Sequence, residues 1–408
     1  MHNKILTEIE KRAIDFFQHH TNFNEDSLGY GLTQDNSIES KRASIAATGF
    51  MLSSLIIGVE NGYLSKYDSL YKARKTLKTL LLLENHEGFF AHFIEIKTGK
   101  RWNFCEFSTI DTAICLAGVL SVDVYFNDSE IKEMAAILFK RVNWESFVEI
   151  DENIAYIRMA YNPSAFGDYV GKIPGFISRW DMFAEQLIMY PMIAGSIKDH
   201  VLAKNLYKGF ARKESIFSNR RFYSSPHNTL FVYHMPLCWL DIKDYIDSEN
   251  INWESNARLA TMCHQLSSVQ VAKIYKTFSK NTFGMNASDT IEGYRVFGAL
   301  PNAENTLDTD GTIAPYSIVC SLPYLFEDAI EGVNQMKKIP GLFQEYGFLD
   351  AYNKADNNMW ISNKYIAIDK GMELLSVNQL TSNIVRKCFM ENTFIKKGLE
   401  VLDWKKEV

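Results

Sequence analysis

Residues Ser108-Thr109-Ile110-Asp111-Thr112-Ala113 run directly into Ile114-Cys115-Leu116-Ala117-Gly118-Val119-Leu120. The second half reads as a buried helix, and such a helix needs other elements packed around it. The first half sets a carboxylate three residues after a serine, in the first helical turn. Two readings of that acid stand side by side. Ser-x-x-Asp is a variant capping box, with Ser108 as N-cap and Asp111 facing the unpaired N–H groups and the positive end of the helix dipole. Alternatively, the acid sits at the mouth of a helical assembly and touches a sugar.

Spacing of three and four dominates the rest of the chain. Ile5, Ile9, Ala13, Phe16 and Phe17 suit one helix face. A second helix is predicted over Ile45–Glu60, with Ala46, Gly49, Phe50, Ser53 and Ile56 inward, and a third over Tyr67–Leu83. Others are expected over Ser129–Val142, Trp180–Ala194, His200–Arg212, Ser255–Ser279, Tyr316–Phe326, Phe326–Lys337, Asn378–Phe389 and Ile395–Leu402. Strand signals are few: Gly88–Phe93 and Arg221–Ser224 read as hairpin pieces. Gly and Pro cluster in three long connections, Asn162–Gly175, Gly293–Pro315 and Pro340–Asn358, and loops of that length tend to be functional. No low-complexity linker interrupts the 408 residues. The pattern predicts one all-α unit over 1–408 with helices in pairs.

Charge narrows the partners. The net charge of −6 leaves no basic patch, which argues against nucleic acid. No apolar run is expected to reach a membrane span. The N-terminal residues form an amphipathic pattern without an apolar leader core. Six cysteines lie scattered with no C-x-x-C pair, as expected of reduced, mostly buried thiols. The expected location is the cytoplasm, or outside the cell if a leader has been removed. Aromatic residues are plentiful, and flat rings suit the apolar faces of sugars. No zinc spacing, Walker loop, dinucleotide fingerprint or nucleophile elbow is present, so no metal or organic cofactor is implied.

Several acids are candidates, each with a plain alternative. Glu185 falls beside the apolar stripe Trp180, Phe183, Ala184, Leu187 and Ile188, where an acid serves a core-edge salt bridge or a pocket. Asp310 lies in an Asp-Gly turn. Asp350 follows Gly347-Phe348-Leu349. Asp369 suits a helix N-cap or a catalytic acid. His86 and His92 flank a turn, and His92 is the one assigned to substrate.

Taken in order, these pieces resemble the glucoamylase-like family of (α/α)6-toroid proteins, which includes bacterial endo-β-1,2-glucanases. The resemblance runs from about Ala13 to Leu402. It is carried by Ser44–Phe50, by Gly88–Phe93 with Thr98–Arg101, and by the Ser108–Ala113 motif. Glu185 matches the acid of Trp-x-x-x-x-Glu-x-x-x-x-Tyr. Asp310–Pro315, Tyr346–Asn353 and Ile368–Gly371 follow in family order.

The resemblance implies an all-α fold, a single (α/α)6 toroid with long loops and short hairpins on its active-site face. It implies a glycoside hydrolase or transglycosylase acting on a β-linked glucooligosaccharide, such as β-1,2-glucan, or on a glycoconjugate. Glycosidic cleavage needs one protonated carboxyl and a second acid as base or nucleophile. Glu185 is then the general acid and Asp369 the base, helped or replaced by Asp111. Asp310, Asp350, Asn378, His92, Trp102, Trp180, Tyr294 and Trp360 are expected to hold substrate, with Phe90 a further ring platform. One stretch departs from the family pattern: Asn378 stands for an acid and Thr381 for a base, so the charged lining there is expected to have changed. A repurposed sugar-binding toroid, or an epimerase or lyase on the same scaffold, is the alternative.

Overall fold

The structure is a computed structural model and describes residues 2–164, 173–298, 307–355 and 358–407. The middles of the first two long connections and two residues near the end of the third therefore lie outside the described residues.

The chain is helix-rich. In order come α1 (His2–His19), α2 (Ile45–Glu60), α3 (Lys66–Leu82), α4 (Thr109–Phe126) and α5 (Ser129–Lys140). Then follow α6 (Met189–Ser196), α7 (His200–Gly209), α8 (Phe231–His234), α9 (Trp253–Val271) and α10 (Pro315–Val319). The last are α11 (Phe326–Lys337), α12 (Ala367–Leu380), α13 (Ile384–Glu391) and α14 (Thr393–Val401).

Polar caps fix half of the starts. Ser44, Ser108, Asp128 and Asn252 each accept a hydrogen bond from the backbone N–H three residues on. The left-handed Asn127, at φ 49°, ends α4.

Two kinds of helix share the work. Helices α2, α4 and α12 are buried on nearly every side. Helices α1 and α5 are amphipathic and pack on them, while the amphipathic α11 packs on α10. Helix α4 is long and apolar enough to cross a membrane, contrary to the expectation that no such run exists. Its 18 residues are 78% buried inside the protein, so the protein itself supplies its apolar surroundings.

Helices α2 and α4 cross where glycine meets glycine. A Cβ on Gly118 would lie 2.2 Å from the Gly49 carbonyl oxygen, and one on Gly49 would lie 2.3 Å from the Ile114 carbonyl oxygen. No side chain fits that crossing, so the two backbones touch.

Three departures from the sequence reading matter. Trp180–Ala194 is not one helix: Gly175–Arg179 is a strand, Glu185–Ile188 a 3-10 turn, and α6 begins only at Met189. The stripe that suggested a helix from Trp180 reflects burial of an extended segment, which periodicity over so few residues cannot separate from helix. Second, α12 begins at Ala367, so Asp369 lies in the first turn of a helix whose N-cap is Ile366. Third, a four-stranded antiparallel sheet joins Phe107–Ser108, Val148–Asp151, Ile154–Asn162 and Gly175–Arg179. It anchors the strand that leads into α4. All six cysteines are buried and unpaired.

The glycine contact yields a prediction. Gly118→Ala should lower unfolding free energy by about 1–3 kcal/mol, as overpacking does. A denaturant midpoint equal to that of the wild type would show that the two helices do not need this approach.

Candidate functional site

A cavity of about 760 Å3 opens where the first turns of α4 and α12 face the 3-10 turn that begins at Glu185. Asp111, Glu185 and Asp369 all line it. Around them lie the loop bearing Asp35 and Arg42, the His92–Phe93 pair, Phe231, Tyr316, Lys364 and the hairpin residue Tyr294.

Asp111 is held at its place by the start of α4. Ser108 Oγ caps the helix, accepting from Asp111 N at 3.3 Å, and donates to Asp111 Oδ2 at 2.6 Å. The capping reading and the cavity reading are thus both true of one residue. The other oxygen, Oδ1, lies 3.7 Å from His92 Nε2. His92 Nδ1 hydrogen-bonds Glu106 Oε1 at 2.7 Å. Burial opposes a charge on His92, but Asp111 and Glu106 outweigh it and lift the imidazole to about 9.

Glu185 is half-buried on the cavity wall, directly after Ala184 in extended backbone at φ −159°. Burial, reinforced by the negative charge of Asp111, raises its carboxyl to about 7. A carboxyl in that range holds a proton near neutral pH and can release it.

Asp369 is pushed well above the carboxylate range, first by burial and then by the charge of the neighbouring Asp350. Two neighbouring buried carboxyls do not both ionise, so the pair keeps one proton. Asp350 is itself buried and raised, and its Oδ2 accepts from Asp289 N at 2.7 Å. Behind the pair, Lys364 Nζ reaches Asp289 Oδ1 at 2.8 Å, and Ser362 donates to Asp289 Oδ2 at 2.8 Å. The N-terminus of α12 has no side-chain cap; instead Ala367 N donates to the Asp35 carbonyl at 2.9 Å. The loop that supplies Asp35 and Arg42 thus also sets the position of Asp369.

Several expected substrate contacts lie elsewhere. Asp310 closes its own turn, accepting from Thr312 N at 2.8 Å, while its carbonyl takes Asn353 Nδ2 at 3.0 Å. Asp350 sits behind Asp369 and off the cavity wall. Trp180 is buried, its Nε1 donating to Thr109 Oγ1 at 3.2 Å, so it braces the start of α4. Trp102 packs partly buried on the core, and Trp360 lies on a strand paired to Asn353; neither lines the cavity. Phe90 is buried beneath the Arg141 guanidinium. Of the rings expected at the cleft only Tyr294 is there, 62% exposed. Asn378 is buried near the far end of α12, donating to Ser382 Oγ at 2.9 Å. Thr381 faces Glu10 of α1. The departures from the family pattern at these two positions do not touch this cavity.

Glu106, Asp35, Arg42, Phe231, Tyr316 and Lys364 were not anticipated from the sequence. The only signal was for Glu106, an acid in the short apolar run before the capped helix. Phe231 and Tyr316 come from the short helices α8 and α10, Arg42 from the start of a strand, and Asp35 and Lys364 from loops.

The family described as "Putative glucoamylase" matches residues 178–393, just over half of the chain, and the chain belongs to it. An exo beta-1,2-glucooligosaccharide sophorohydrolase of Parabacteroides distasonis is 22% identical across 91% of the chain. The chain spans only 54% of the length of that relative. Among solved structures, a protein of Bacteroides uniformis described as a putative glucoamylase superposes with a TM-score of 0.85 at 22% identity, covering 100% of this chain and 98% of that one. An endo-beta-1,2-glucanase of Chitinophaga pinensis, in complex with sophorotriose and glucose, gives 0.84 at 21% identity, covering 100% and 99%. The fold is shared with these proteins.

The acid pair predicts a pH dependence of stability. The folded state keeps the Asp369 proton over a range where the unfolded chain has lost it. Stability from this site is therefore complete below the ordinary carboxyl range and declines as pH rises toward the raised folded value. In Asp369→Asn the amide donates to Asp350 and the decline disappears. Between pH 4 and 7 the variant should gain on the wild type by up to about 1.4 kcal/mol per pH unit. Unfolding curves at a series of pH values measure this, and a difference constant with pH would exclude the shared proton.

Proposed function

We propose that the chain is a glycoside hydrolase acting on β-1,2-linked glucooligosaccharides, with catalysis by carboxyl groups. The observation that carries this is the convergence of Asp111, Glu185 and Asp369 on one cavity, with Glu185 raised to about 7. The relatives act on β-1,2-glucans or their oligosaccharides, by their names, which supports the linkage. We further propose that the whole chain is one unit whose paired helices close as an (α/α)6 toroid. Packing of α12 against both α10 and α2, the first inner helix, supports such closure.

Glu185 is the general acid, giving its proton to the leaving glycosidic oxygen. The base must be an acid that lacks a proton when Glu185 holds one. Asp369, first choice from the resemblance, shares its proton with Asp350 and is poorly suited. Asp111, facing the cationic His92 at 3.7 Å, is suited to that role and takes it in this reading. Asp369 then offers an oxygen to accept from a sugar hydroxyl, and Tyr294 offers an exposed ring to a sugar face.

Glu185→Gln keeps size but cannot deliver a proton. Its kcat on β-1,2-glucooligosaccharides should fall about 10²–10⁴-fold with KM little changed. Chromatography and mass spectrometry of products from a panel of β-glucooligosaccharides measure both. Folded wild type that binds these sugars yet releases no product would make the chain a binding protein and overturn the hydrolase reading.

A further inference from the structure

Glu106 does not line the cavity, yet it is buried, 5% exposed, one residue behind the strand that leads into α4. Its carboxyl has one partner in view, His92, and its second oxygen, Oε2, is buried without a hydrogen bond. A buried acid held this way is expensive unless it serves its partner. The backbone shows how firmly the two are joined. Ala91 and Phe107 form an antiparallel bridge, and His92 N donates to the Glu106 carbonyl at 3.0 Å. His92 and Glu106 are therefore cross-strand neighbours, hydrogen-bonded through both backbone and side chain.

The imidazole plane is fixed as well. It stacks on Phe93, with ring centroids 3.8 Å apart and 19° between planes. The Arg42 guanidinium lies 4.7 Å from the centre of the Phe93 ring and is ion-paired to Asp35 at 2.7 Å. With Nδ1 on Glu106, Nε2 is the nitrogen nearest Asp111, whose Oδ1 lies 3.7 Å away.

We propose that Glu106 is a positioning residue of this site: it holds His92 so that a carboxylate–imidazole–carboxylate relay runs from the buried strand to Asp111 on the cavity wall. The inference rests on the reading of Asp111 as the base and extends it to two residues that never need touch substrate. A cationic His92 between two carboxylates keeps Asp111 aimed into the cavity, leaving Glu185 to carry the reactive proton. The groups that face His92 are Glu106 from the strand, Asp111 from α4 and Asp35 from the Arg42 loop. All three are acids, so each favours its charge.

The test uses the full chain labelled with 13C and 15N at histidine, with the ring signals of His92 assigned by their loss in His92→Gln. In the wild type the ring should stay doubly protonated at pH 7. In Glu106→Gln its titration should move down by about 1–3 pH units, the range an adjacent charge commands. Asp111→Asn removes the other charge and should move the same signal down, so a poorly folded Glu106→Gln does not end the test. Activity adds a second readout. The kcat of wild type over that of Glu106→Gln, on a β-1,2-glucooligosaccharide, should be near one at pH 5 and rise toward about tenfold by pH 8, where the variant's imidazole is neutral. A merely structural Glu106 would lower kcat by the same factor at every pH. A His92 neutral at pH 7 in the wild type, or titrating in both variants as it does in the wild type, overturns the relay. Absence of hydrolysis in the wild type overturns the hydrolase reading instead, and the ring titration still decides the relay.

Discussion

Everything at this site depends on α4 being apolar along most of its length and carrying an acid in its first turn. A helix that buries nearly all its faces can be reached from solvent only at an end. Its C-terminal half is enclosed by α5 and α13, and α2 closes on it through the Gly49–Gly118 contact. The start is the one place where an acid can be both anchored and accessible. Ser108 supplies the anchor, and the positive end of the helix dipole favours the carboxylate of Asp111. Helix α12 repeats the arrangement with a different cap, a loop carbonyl in place of a serine, and presents Asp369 from its own first turn.

The three acids differ less in type than in neighbours. Asp111 faces a histidine that is itself held by an acid. Glu185 has no cation beside it and is raised by burial and by the charge of Asp111. Asp369 is buried against a second carboxyl and keeps a shared proton. One carboxyl beside a cation, one titrating acid and one carboxyl pair that keeps a proton follow from these surroundings. Such separation of protonation states among like groups is what acid–base cleavage of a glycosidic bond requires.

Much of the helical frame was legible because its signals are local. The bounds of α2 and α11 are as the spacing predicts, and Ser108 caps α4 as its motif implies. The acids Asp111, Glu185 and Asp369 were legible as a group only through their order along a family pattern, since nothing local ties them together. Segments without a long period were misread. Glu185 was placed on a helix because Trp180, Phe183 and Leu187 are all buried, and burial of an irregular strand end leaves the same mark. The aromatic platforms failed for a related reason. Trp180 and Phe90 are as apolar in a core as in a cleft, and only the fold decides which one they fill.

The departure at Asn378 and Thr381 shows where pattern and geometry part. In sequence it follows closely on Asp369, and a lost charge there suggests a rebuilt site. Along α12, however, nine residues separate Asp369 from Asn378, about 13 Å at the rise of an α-helix. Asn378 is spent on the turn into α13, where its side-chain Oδ1 accepts from Val385 N at 3.4 Å and its Nδ2 donates to Ser382 Oγ. Thr381 lies at the base of α1, where Glu10 is buried and also takes a hydrogen bond from the Asn61 amide at 2.5 Å. An acid at 378 would add a buried charge beside a helix start rather than a reacting group beside a sugar. The loss of charge at these positions therefore bears on how α12 joins α13 and α1. It leaves intact the case for chemistry at the other end of the helix.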